Sequence, residues 1–68
     1  MTPDQEQEYR EEAERLAHLP EADQHEIIAM HRDIASNPKL PKDARQAGLE
    51  RADALERHLR RLRRQGKK

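Results

Sequence analysis

The 68-residue chain carries 14 basic and 14 acidic side chains and no cysteine. Its formal charge is therefore zero, and disulfide frameworks, thiolate nucleophiles and cysteine zinc sites are excluded. Charged residues make up 41% of the sequence, and the longest apolar run, Ile27-Ile28-Ala29-Met30, falls far short of the roughly 20 residues a membrane span needs.

Ala, Glu, Lys, Leu and Arg fill 39 positions, more than the half-share typical of long helices and coiled coils. Only Thr2, Ile27, Ile28 and Ile34 are β-branched, too few for a strand. The composition predicts an all-α protein forming one small domain over residues 1–68. Residues 1–12 are acid-rich with no apolar core of a leader, which points to a soluble cytoplasmic protein without membrane association.

Proline punctuates three helical segments. Thr2-Pro3-Asp4-Gln5 reads as an N-cap, a proline at the first helical position and a capping-box glutamine, opening a helix over about 3–18. Tyr9, Ala13, Leu16 and Ala17 fall on one of its faces. Pro20 opens a second helix over about 20–36, on which Ile27, Ile28, Met30, His31, Ile34 and Ala35 share an arc of about 160°. These two segments read as a short helical hairpin.

The stiff Asn37-Pro38-Lys39-Leu40-Pro41 linker then leads, with Pro41 as its opening residue, into a third helix over about 41–65. Along it Gly48, Ala52, Leu55, Leu59 and Leu62 step by four and three, a heptad seam of coiled-coil type that Ala44 joins. A helix-turn-helix reading of residues 20–64 fails, because a recognition helix follows a turn of about 3–4 residues, not a two-proline linker.

Ten Leu and Ile side chains at roughly 1.5–3 kcal/mol each offset only a fraction of the ordering cost of the chain. With disulfides excluded, oligomerisation is the expected remedy. The third helix, at about 36 Å, outreaches partners of about 25 Å, so its last leucines should overhang and pack on a second copy. The expected assembly is an oligomeric helical bundle, a homodimer first, with Ile27, Ile28, His31, Ile34, Leu55, Leu59 and Leu62 at its interface.

Charge is segregated. Residues 1–38 hold ten acids against three bases, and residues 39–68 four acids against eleven bases, a split of −7 and +7. That split favours an assembly that brings acidic and basic halves together. The basic tail at 60–68 offers Arg60, Arg61, Arg63, Arg64, Lys67 and Lys68 to an acidic protein or to a nucleic-acid backbone.

Catalysis has little to work with. Thr2 and Ser36 sit where caps explain them, no glycine-rich phosphate cradle exists, and no enzymatic activity or cofactor is expected. Glu14/His18 and Glu21/His25 are i, i+4 pairs that two adjacent helices could merge into a metal-binding bundle, but the spacing from His25 to His31 is not that of a metalloprotease helix, and no metal is expected. His31 and His58 flank the apolar stripes as hydrogen-bonded edge residues. The function expected from sequence is therefore a non-enzymatic, self-associating adaptor or regulator; a nucleic-acid-binding role for the arginine-rich helix stands second, and a metal-binding bundle third.

Overall fold

The computed structural model describes residues 2–66. Three helices follow one another: α1 (Pro3–Ala17), α2 (Glu21–Ser36) and α3 (Lys42–Gly66). The capping box at the start of α1 is formed as the sequence predicts. The Gln5 backbone N–H donates to Thr2 Oγ1 at 3.2 Å, and the Thr2 backbone N–H donates to Gln5 Oε1 at 3.1 Å.

The other two starts differ by one residue from expectation. Pro20 is extended (φ −56°, ψ 149°) and caps α2 with its carbonyl, which accepts from the backbone N–H groups of Asp23 and Gln24. Pro41 does the same for Arg45. Proline fixes φ but leaves ψ free, and with ψ extended at Pro20 the residue acts as the cap and the helix opens after it. α1 ends at Ala17, where i→i−3 bonds from His18 to Arg15 and from Leu19 to Leu16 tighten the last turn. In the linker, Asn37 Oδ1 accepts from the Lys39 N–H at 3.0 Å, an Asx turn that starts the reversal into α3.

α3 is the spine, and the other two helices pack on it from different directions. α2 runs antiparallel to it: Gln24 reaches Arg63, Arg32 reaches Asp53 and Glu56, and Ile34 lies on Gly48. α1 lies across α3 rather than alongside. One edge of α1 (Glu6, Arg10, Glu14) meets α3 between Arg57 and Gln65, while the other edge (Tyr9, Glu12) meets it at Gly48 and Arg51. Ala13, wholly buried, sits in the core where these helices converge.

The core is formed by Ala13, Leu16, Ile28, Ala52, Leu55 and Leu59, with Ile27 and Leu62 packed at its margin. Leu55 is its only large side chain with no exposed surface. The seam read from sequence is therefore the core of a single chain. It is also wider than a heptad stripe, because Ala54 and His58 are buried beside it.

The expected overhang of α3 is corrected. α1 crosses its C-terminal half, and α2 is anchored near its end by Arg63, so Leu55 and Leu59 are buried within one chain and Leu62 is half-buried. Those three leucines do not protrude for a second copy. What α1 leaves uncovered is the opposite end, around the first turns of α3. The resulting molecule is flat, 44 × 28 × 14 Å, with a radius of gyration of 12.6 Å. A compact chain of this length would have about 10.9 Å.

The charge split also acts inside the chain. Glu6 pairs with Arg57 and His58, Glu12 with Arg51, and Glu21 with Arg63, so acidic α1 and α2 dock on basic α3. Arg32 runs the other way, to Glu56 at 2.6 Å and Asp53 at 3.8 Å. Exposed pairs of this kind contribute about 0–1 kcal/mol each, so they select the docking direction more than they stabilise it.

Candidate interaction surfaces: an open groove and an arginine strip

The uncovered end of the molecule is a groove of about 340 Å³ lined by Tyr9, His31, Ile34, Ala44, Ala47, Gly48 and Arg51. Each helix contributes for a local reason. α3 supplies a floor of small residues, and Gly48 lets α2 approach until Ile34 and the His31 carbonyl touch the glycine. α2 supplies Ile34 as one wall, and Met30, 53% exposed, stands one turn before it. α1 supplies Tyr9, buried apart from its edge.

Arg51 closes the α1 side of the groove. Its guanidinium lies 5.8 Å from the Tyr9 ring centroid, within cation–π range, and its Nε is 3.9 Å from Glu12 Oε1. His31 is buried between these groups, with Nε2 3.9 Å from Glu12 Oε2. Burial is the main cause that pushes the His31 pKa down, Arg51 adds to the shift, and Glu12 partly opposes it.

A pH dependence follows. Because the native imidazole resists protonation, the unfolded chain binds the proton first, and stability falls as pH drops below the ordinary histidine range near 6.5. Above that range both states are neutral and the effect vanishes. Urea midpoints at pH 7.5 and 5.5 should therefore separate more for the wild type than for His31→Gln. Equal separations would show that His31 does not carry the acid sensitivity.

His58 is held differently. It is buried on α3 with Nε2 2.9 Å from Glu6 Oε1, which makes it a cross-brace between α1 and α3. His58 thus has the hydrogen-bond partner expected of an edge-of-core histidine, whereas the nearest carboxylate to His31, Glu12 at 3.9 Å, lies beyond hydrogen-bond distance. Gln24 is the polar core residue that sequence periodicity does not signal. Its side-chain nitrogen donates to the Leu19 carbonyl at 3.0 Å, and its oxygen accepts from Arg63 Nη2 at 3.1 Å. That carbonyl is left over by the end of α1, so only the fold reveals the need for a buried amide there.

Of the expected interface residues, Ile28, His31, Leu55 and Leu59 are buried in the single chain, while Ile27, Ile34 and Leu62 are half-buried. Only Ile34 and His31 line the open groove. Tyr9, Ala44, Ala47, Gly48 and Arg51 complete its lining, of which Ala44 and Gly48 already lie on the apolar seam of the sequence.

The expected anionic-partner set is also redistributed. Arg60, Arg61 and Arg64 are exposed on the last turns of α3, but Arg63 turns toward α2, onto Gln24 and Glu21. Lys67 and Lys68 lie outside the described residues. Arg10, from α1, lines a depression with Glu14, His58, Arg61, Leu62 and Gln65, a cation that sequence position does not place near the tail.

Comparison of the chain with protein-family models, with curated proteins and with solved structures finds no match. No helix among the described residues is long and apolar enough to cross a membrane. The Glu14/His18 and Glu21/His25 pairs do not converge, and among the described residues no three His, Cys, Asp or Glu side chains gather at one point. The Thr2 hydroxyl accepts in the capping box and the Ser36 hydroxyl donates to the Arg32 carbonyl at 2.7 Å, so both are engaged by the backbone.

Proposed function

We propose that this protein is a non-enzymatic, self-associating helical adaptor or regulator whose assembly face is the open groove, with a second copy as its occupant. The carrying observation is the open groove at the start of α3, where exposed Ala47 and half-buried Ile34 and Ala44 leave apolar surface uncovered, with exposed Met30 one turn before Ile34 on α2. An apolar face rimmed by polar residues is a common mark of a protein–protein contact.

The surface area supports the same reading. The chain exposes 5307 Å², whereas a compact monomer of 8.0 kDa would expose about 4,450 Å². The excess is comparable with the roughly 800 Å² that each partner buries in a standard interface. A two-fold pairing lays the Met30 edge of each copy over the small-residue floor of the other, which needs no further component to close. A cytoplasmic setting, where such a protein would organise other macromolecules, belongs to this proposal.

Sedimentation equilibrium at micromolar and at submillimolar concentration tests it. Wild type should approach twice the 8.0 kDa chain mass at the higher concentration. Ala47→Glu places a charge on the groove floor at an exposed position, and should stay monomeric with unchanged helicity. A wild type that remains monomeric throughout, or an Ala47→Glu variant that associates equally well, would overturn the proposal.

A further inference from the structure

The arginines of α3 from Arg51 onward divide into two groups. Arg51 is held by Glu12 and the Tyr9 ring, and Arg63 by Gln24 and Glu21. Arg60, Arg61 and Arg64 make no hydrogen bond or ion pair among the described residues, and Arg57 has only a 3.9 Å contact with Glu6. On a helix that turns 100° per residue, Arg57, Arg60, Arg61 and Arg64 lie within an arc of about 100° and within about 10 Å of axis. They form one solvent-facing strip, and Arg10 flanks it through its shared depression with Arg61.

We propose that this strip binds the phosphate backbone of duplex nucleic acid. Three features select that partner. The strip carries no exposed apolar side chain to seed a protein interface, since Leu62 is half-buried and faces the core from the other side of α3. Tyr9, the only aromatic, is buried in the core, so bases of a single strand have nothing to stack on. The cations recur every few ångströms along a rigid rod, which suits a polymer with regularly spaced charge better than a globular acidic patch.

Neutralising the helix dipole does not account for the strip. That effect is confined to the last turn, and Arg57 and Arg60 lie before it. Nor does the assembly groove account for it, because Ala47 and Arg60 are about 20 Å apart along α3. The two surfaces are separate, and either can fail without the other.

The experiment is fluorescence anisotropy of a labelled generic DNA duplex, titrated with the full chain at several salt concentrations. Four arginines at the backbone predict a log–log salt slope of about −3.6, hence an affinity loss of about 10²-fold between 50 and 200 mM salt. The Arg60→Gln, Arg61→Gln, Arg64→Gln triple variant should keep its melting curve, because these side chains are exposed, and should reduce the slope to about −1. No binding at 50 mM salt, or equal binding by the triple variant, would refute the assignment. So would displacement of the duplex by poly-glutamate at equal charge concentration, which would make the strip a surface for acidic proteins.

Discussion

Leu55→Ala is expected to remove a large share of the protein's stability. Leu55 has 0% exposure and sits with Ala13, Leu16, Ile28, Ala52 and Leu59. Two of these neighbours are alanines, whose short side chains cannot swing in to fill the space. A fully buried Leu→Ala change that cannot collapse costs about 3–5 kcal/mol. At typical stability per residue, the whole 68-residue chain has about 3–10 kcal/mol to lose. Circular dichroism during a urea titration would show the midpoint moving toward zero denaturant. Leu55→Met, which conserves volume, should cost less than about 1.5 kcal/mol. Leu62→Ala, at the margin of the core, should fall between them. If Leu62→Ala were the most damaging of the three, the centre of the core would lie toward the α3 terminus instead.

The order of these effects could be read from sequence only in part. The heptad steps from Gly48 to Leu62 identify the buried face of α3 because Leu and Ala at those spacings leave one continuous apolar line. The same periodicity cannot say who covers that face. It describes a helix as a cylinder with a stripe and carries no crossing direction. An α1 laid alongside α3 would expose Leu59 and Leu62, whereas an α1 laid across α3 covers them and opens Ala44 and Ala47. Ala54 and His58 escape the stripe for a related reason. Both are buried off the heptad line, His58 against Glu6 of α1, and a stripe read from leucine spacing alone does not extend to them.

Chain punctuation was the more legible level. A Thr-Pro-x-Gln start has one good solution, and the structure adopts it. Pro20 and Pro41 mark helix starts correctly to within one residue, since proline fixes φ but leaves ψ to decide whether it is the first helical residue or the cap. The arginine tail was legible as charge and not as geometry. Arg63 sits among Arg60, Arg61 and Arg64 in sequence, yet the 100° step turns it toward α2, where the buried Gln24 amide needs a donor. Arg10 arrives from the far end of the chain through the crossing of α1.

α2 and α3 approach closely at Gly48, and Gly48→Ala should destabilise although alanine is the better helix former. A Cβ at Gly48 would stand 2.9 Å from Ile34 Cγ2, 3.0 Å from the His31 carbonyl oxygen and 3.2 Å from Ile34 Cβ. Neither neighbour yields easily. Ile34 is β-branched and nearly fixed at χ1 in a helix, and the His31 oxygen belongs to the α2 backbone. The helices must part, at an overpacking cost of about 1–3 kcal/mol, while the propensity gain is about 1 kcal/mol. The net loss should reach up to about 2 kcal/mol on those two magnitudes, seen as a lower urea midpoint at unchanged slope. Gly66→Ala is the internal control, because a Cβ there meets nothing within 4 Å. A double-mutant cycle isolates the contact itself. Ile34→Ala removes the Cγ2 that the new methyl strikes, so the combined variant should be more stable than the sum of the single losses by about 0.5–1.5 kcal/mol. Strict additivity, or a Gly48→Ala variant as stable as Gly66→Ala, would mean that α2 and α3 have room to spare at Gly48 and that the groove floor is not set by this close approach.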